Sequence, residues 1–207
     1  MKTYYHFTSD KLRDGRDIPA IGEWLEHNGD VIPCESGLHA SPTAFDALQY
    51  APGAMLHKVY LDGVIVEHGS PVDKYAASRR VIVASIDATD VCRRFARRVA
   101  LDVAHLWDMP DVVRRYLETG DESLRDAAWV GAWDATGDAA WGARAAAYAA
   151  RDAAWAAWVA ARDAARDAAW AAAWDAAWDA ARAAAQAAAY EKYRGWFDEM
   201  VEEAFGE

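Results

Sequence analysis

From Ala143 to Arg194 the chain contains neither glycine nor proline, and alanine fills most positions. Alanine has the highest intrinsic helix propensity, and the Asp and Arg residues scattered through the run sit easily on solvent faces. The run therefore predicts helix, about 80 Å of it if straight, at about 1.5 Å per residue. Large side chains punctuate it in tetrads, most clearly in WAAA-WDAA-WDAA-RAAA-QAAA-Y from Trp170 to Tyr190. Upstream the spacing mixes fours and sevens, through Trp129, Trp133, Trp141, Tyr148 and Trp155, with an eleven-residue echo between ARDAAW (150–155) and ARDAAR (161–166).

A four-residue step turns about 400°, so the aromatic stripe drifts about 40° per tetrad around the helix. Sevens partly correct that drift, and elevens favour a weak right-handed supercoil. A stripe that spirals touches more than one neighbour, which fits a two-stranded coiled coil poorly. A lone helix exposing so many indoles would present a large apolar patch, which soluble monomers avoid. Three destinations fit: the N-terminal part of the chain, the tail itself, or a second copy. The expectation taken forward is a second copy, giving a homo-oligomer with interface residues Trp141, Tyr148, Trp155, Trp158, Trp170, Trp174, Trp178 and Tyr190.

The composition changes near residue 120. All six prolines (Pro19, Pro33, Pro42, Pro52, Pro71 and Pro110) precede it. The expected class is α+β: a small mixed or antiparallel sheet domain followed by a long Ala/Trp-rich helical region. The boundaries read as 1–88 for the small domain, 89–120 for connecting helices, 121–194 for the repeat region and 195–207 for a short amphipathic helix. Within the first part, TYYHF (3–7) is a strand candidate. Residues 22–27 and 31–34 flank Asn28-Gly29, a hairpin signal. Ser41-Pro42 reads as a helix N-cap followed by proline at the first helical position. Residues 55–61 and 64–68 read as two strands around Asp62-Gly63, and the β-branched run RVIVASI (80–86) as a further strand. Val91, Phe95, Val99, Val103 and Leu106 recur at helical spacing over 89–106. Residues 111–118 form another helix, stopped at Thr119-Gly120.

The formal net charge is −11. A polyanion of this kind is repelled by nucleic acid and by anionic membranes, so neither is an expected partner. A local basic cluster of Arg93, Arg94, Arg97 and Arg98 stands against that background. Trp and Arg can stack on bases, but the interleaved aspartates oppose a phosphate backbone. Cys34 and Cys92 are far apart and in no CxxC pattern, which argues for reduced thiols and against a zinc ribbon. No apolar stretch reaches the length of a signal peptide or a membrane span, so the expected location is the cytoplasm.

No high-specificity catalytic motif is present, and no pair of the six histidines has helical metal-ligand spacing, so no metal is expected. Two blocks stand out: Tyr4-Tyr5-His6-Phe7-Thr8, and Glu35-Ser36-Gly37-Leu38-His39-Ala40-Ser41. The second puts an imidazole on a tight loop beside an expected helix N-terminus, a setting suited to an anion or polar ligand.

The order YHFT, then GLHAS leading into a helix, resembles the start of small ADP-ribosyltransferase-like domains. The resemblance implies a site for the nicotinamide ribose of NAD, with His6 on the first strand and Gly37, His39 and Ser41 in the second element. It also implies a late catalytic glutamate, for which Glu67 in VIVEHG is the available residue. The chain as a whole resembles uncharacterised phage and actinobacterial proteins with a CxSGxHA block (here Cys34–Ala40), a VRRYLETGDESLR block (113–125) and an Ala-rich tail. That likeness implies a phage or prophage origin and a location in the host cell.

Two functions follow as expectations. The first is a phage-type interaction protein that self-associates through its helical tail, presents a small N-terminal binding domain to a partner such as a host protein, and needs no cofactor. The alternative is an NAD-dependent ADP-ribosyltransferase-like enzyme with the tail as scaffold.

Overall fold

The computed structural model describes residues 2–106, 108–135 and 180–206. They divide into two units, one of Met1–Ala88 with Asp198–Glu207 and one of Thr89–Phe197. Together they make a mixed α+β chain, an antiparallel five-stranded sheet followed by helices.

The first unit contains β1 (Tyr4–Thr8), β2 (Trp24–Glu26), β3 (Leu38–Ala40), α1 (Ala44–Leu48), β4 (Met55–His68) and β5 (Lys74–Asp87). The strand order is β1-β4-β5-β2, and β3 also pairs with β5. Tyr5 and Ser41 exchange backbone hydrogen bonds at 2.9 and 2.8 Å. That bridge joins the end of β3 to β1, so the pairings β1–β4–β5–β3–β1 form a closed circuit. Side chains alternate across each strand. On one face, α1 packs against β1. Tyr5 and its register partner Lys58 both bond to Glu202. The opposite face of β1 carries Tyr4, His6 and Thr8. Tyr4 joins a buried cluster with Ala40, Val59, Leu61, Tyr75, Ala77 and Ile82, and meets Tyr75 edge-on at 5.0 Å between ring centroids.

Three sequence readings need correction here. Asp62-Gly63 is not a turn, because β4 runs unbroken through it. The register shifts between Asp62 and Ile65, Gly63 takes φ +77°, and the Val64 N–H donates to Ser78 Oγ at 2.9 Å. A β-bulge absorbs the glycine while β5 supplies a continuous partner. The reversal falls instead at 69–73. Residues 31–34 do not pair with β2, which is antiparallel to β5; the loop closes on itself through an Ile32–Ser36 bridge. Finally, Thr43 caps α1, its Oγ1 accepting from the Asp46 N–H at 3.1 Å. Ser41 is already committed to β1. The Phe45 N–H, an orphan of the first helical turn, donates to Asp198 Oδ1 at 2.9 Å.

The second unit holds α2 (Thr89–Asp102), a 3-10 turn (Ala104–Leu106), α3 (Asp111–Thr119), a second 3-10 turn (Glu122–Leu124), α4 (Arg125–Ala135) and the first part of α5 (Ala180–Gly206). Gly120, left-handed at φ +68°, ends α3 with its N–H on the Tyr116 carbonyl. Ala100, Met109, Val113, Tyr116, Leu117, Ala128 and Ala132 share one core. A Cβ on Gly131 would stand 3.1 Å from Val112, so this glycine allows α4 close to α3. Phe197 meets Phe95 edge-on at 5.0 Å. Lys192 and Tyr193 both donate to Asp102 Oδ2, at 2.6 and 3.0 Å.

Residues 195–207 are not a separate short helix, since α5 passes straight through Gly195. One interior glycine costs about 1 kcal/mol. Burial of Tyr193, Phe197 and Val201 outweighs that. Trp141, Tyr148, Trp155, Trp158, Trp170, Trp174 and Trp178 lie outside the described residues. Tyr190 lies within them, on α5, and is 40% exposed.

Candidate functional site

The polar residues of the first unit gather around one buried cation. Arg80 lies on β5, opposite Leu61 on β4 and Leu25 on β2. It is 4% exposed. Its Nη1 donates to the His39 carbonyl, while its Nε has no hydrogen-bond partner. No ion pair to Arg80 occurs among the described residues. Burial pushes its guanidinium down to about 10, Arg16 pushes the same way and Asp14 opposes. It therefore remains charged at neutral pH. An isolated buried charge is costly unless an anion or several hydrogen bonds compensate it.

Three imidazoles surround this charge. His6 and His57 are register partners on β1 and β4, and Ser85 on β5 continues the row. His57 is 1% exposed. Its Nε2 lies 2.8 Å from Thr8 Oγ1 and its Nδ1 2.7 Å from Ser85 Oγ. Burial and then Arg80 lower it to about 4. His6 is pushed well below the ordinary imidazole value, by burial first and then by Arg80, His57 and His39. His39 falls to about 4 through burial, Lys74 and Arg80, with smaller effects of Arg13 and His27. At neutral pH all three rings are uncharged. The Cys34 N–H donates to His39 Nε2 at 3.1 Å, so the neutral ring carries its proton on Nδ1. The cluster thus offers one permanent cation, neutral rings that can donate or accept, and the hydroxyls of Thr8 and Ser85. That set suits an anionic oxygen ligand.

His6 and His39, singled out from sequence, both stand in this cluster. Gly37 supports it: at φ +104° it sits where a Cβ would meet Val31 at 3.2 Å and the Ala77 carbonyl at 3.4 Å. Ser41 is buried and contributes the backbone bridge to β1. Glu67 stands elsewhere. It is exposed, in the row Glu67–Tyr75–Ala40, and accepts from the Tyr75 hydroxyl at 3.5 Å. The adjacent row, Val66–Ala76–His39, points to the other face. Glu67 is also ten positions along β4 from His57, roughly 30 Å of strand before bending. Alternation thus separates Glu67 from His39, while its row-mates Tyr75 and Ala40 share the Tyr4 and His6 face; its hydrogen bond is to the Tyr75 hydroxyl and not to either histidine. Among the described residues no group of three His, Cys, Asp or Glu could hold a metal ion.

Sequence reasoning missed Arg80, His57 and Ser85, and took Thr8 only as the end of the Tyr4–Thr8 block. The available signal was the arginine opening the β-branched run RVIVASI, a charge within a strand that is otherwise apolar.

A family model described as a domain of unknown function (DUF7666) matches residues 1–94, which span the whole sheet and the start of α2. Searches of curated proteins and of solved structures give no match. Among the described residues no helix is long and apolar enough to cross a membrane.

Proposed function

We propose that this chain is a phage-type interaction protein whose N-terminal unit binds an anionic, phosphate-bearing ligand at Arg80, and whose Ala/Trp-rich helical region joins copies into a homo-oligomer in the host cytoplasm. The observation that carries the binding half is the buried guanidinium with a free Nε and no carboxylate partner. A ligand phosphate supplies the missing anion through charge-assisted hydrogen bonds. The tetrad spacing of Trp170, Trp174, Trp178 and Tyr190 carries the assembly half.

Thermal melting of the full chain with inorganic phosphate, pyrophosphate, ADP-ribose or NAD tests binding. A ligand at a hundred times its dissociation constant adds about 2.7 kcal/mol to stability, so a ligand of this class raises the midpoint clearly. No rise with any of the four rejects the binding half. Sedimentation at micromolar concentration tests the other half, and a monomer rejects it.

The NAD-dependent ADP-ribosyltransferase-like reading keeps one supporting observation: His6 and His39 share Arg80 as neighbour. NAD would bring the pyrophosphate that suits a guanidinium. Glu67, away from the cluster, favours binding over transfer. Incubation with labelled NAD and bacterial lysate separates the two, and neither transfer nor hydrolysis ends the enzyme reading.

A further inference from the structure

A second cluster lies on the loop between β2 and β3 and on the β4–β5 turn. Cys34 is exposed. Its sulfur accepts from Lys74 Nζ at 3.4 Å and lies 3.5 Å from His68 Nε2. Lys74 is 8% exposed, and its ammonium also sits 3.4 Å from the centroid of the Tyr50 ring. No carboxylate pairs with this lysine among the described residues. Asp73, next to it, has Oδ2 occupied by Gln49 and Tyr50 at 3.0 and 2.8 Å, and its buried Oδ1 has no partner. The Tyr50 phenol is held protonated, its pKa raised by burial, then by the Asp73 hydrogen bond, with Cys34 a smaller cause. The ammonium points at the sulfur. The other cysteine, Cys92, is 3% exposed in the second unit and serves as an internal reference.

We propose that Cys34 is a peroxide-reactive thiol activated by Lys74 and His68. The sulfur attacks one oxygen of a small hydroperoxide. The S–O bond forms as the O–O bond breaks, and the departing oxygen leaves as water or alcohol with the thiol's proton, relayed through Lys74 or His68. The sulfur is oxidised by two electrons to sulfenic acid and the peroxide is reduced by two. Lys74 stabilises charge on sulfur, and the exposed side of Cys34 admits an oxidant of this size. The Cys34 N–H is the donor that fixes the His39 ring, so oxidation acts next to the Arg80 cluster without depending on what that cluster binds.

The test uses the full native chain with hydrogen peroxide, trapping sulfenic acid with dimedone and reading each cysteine by peptide mass spectrometry. Cys34 is expected to be trapped about tenfold or more faster than N-acetylcysteine at neutral pH, with Cys92 untouched. Lys74→Met removes the acceleration and Lys74→Arg restores most of it. A Cys34 rate equal to that of N-acetylcysteine overturns the proposal. So does a folded Lys74→Met chain, checked by circular dichroism, that reacts as fast as the parent. Should Lys74→Met not fold, the comparison with N-acetylcysteine still decides.

Discussion

Acidification should unfold the first unit through its histidines, and His57 allows the size of the effect to be worked out. In the folded chain both ring nitrogens meet hydroxyls, Thr8 Oγ1 and Ser85 Oγ. A hydroxyl can accept as well as donate, so those two hydrogen bonds would tolerate an imidazolium. What resists the proton is burial, with the Arg80 charge behind it. Folded His57 therefore takes its proton near pH 4, whereas in the unfolded chain it does so near the ordinary value of 6.5. Between those values the unfolded state binds more protons, so stability present above pH 6.5 is lost as pH falls towards 4. At 1.36 kcal/mol per pH unit the whole loss from this one side chain is about 3 kcal/mol. His6 and His39 are lowered too and act in the same direction. Urea denaturation at a series of pH values between 7.5 and 4 gives the slope for the parent and for His57→Gln. The variant cannot take up the proton, so its stability should fall less steeply by up to about 1.4 kcal/mol per unit in that window. Equal slopes would refute the reasoning and show that His57 protonates in the folded chain as freely as in water.

Gly63→Ala should cost about 2 kcal/mol in the same assay, since an L-residue at φ +77° is strained and its Cβ would collide with Ser78 Oγ; a loss below about 0.5 kcal/mol would contradict the bulge. Phe197→Ala should cost about 3–5 kcal/mol, because the ring is fully buried and edge-on to Phe95. Far-UV circular dichroism during urea unfolding measures it, and a loss under 1 kcal/mol would argue against that packing.

The strands were legible where one residue pattern decides them. TYYHF and RVIVASI gave β1 and the C-terminal half of β5. Val91, Phe95 and Val99 gave the buried stripe of α2, and Gly120 the stop of α3. The errors came from turn signals overruled by distant partners. Asp62-Gly63 carries the chemistry of a turn, yet β5 offers a ladder on both sides of it, and a bulge keeps both halves paired. Ser41 has the chemistry of a cap but spends its backbone on Tyr5, so Thr43 takes that role. Residues 195–207 read as a separate helix, but Tyr193 and Phe197 are buried on either side of Gly195 and α5 runs through it. Of the candidate site, His6 and His39 stood out because they sit in compact aromatic and glycine-bounded blocks. Arg80 carried one local mark, a charge opening an apolar strand run, but neither it nor His57 shows in sequence that it becomes the common neighbour of residues some 20 to 70 positions away. Glu67 was selected by analogy of order along the chain; alternation turns it away from His39, and its hydrogen bond goes to the Tyr75 hydroxyl.

The anion proposed at Arg80 would be reported directly by its side-chain Nε–H. In a nitrogen–proton NMR spectrum of the full chain, the Arg80 Nε–H signal is assigned by its loss in Arg80→Met. Titration with pyrophosphate or ADP-ribose is expected to shift that signal in a saturable way, and Arg80→Met is expected to weaken calorimetric affinity about 10- to 100-fold, the equivalent of one charge-assisted hydrogen bond of about 1.5–3 kcal/mol. A signal that stays in place through saturating ligand, or a variant that binds as tightly as the parent, would contradict the account.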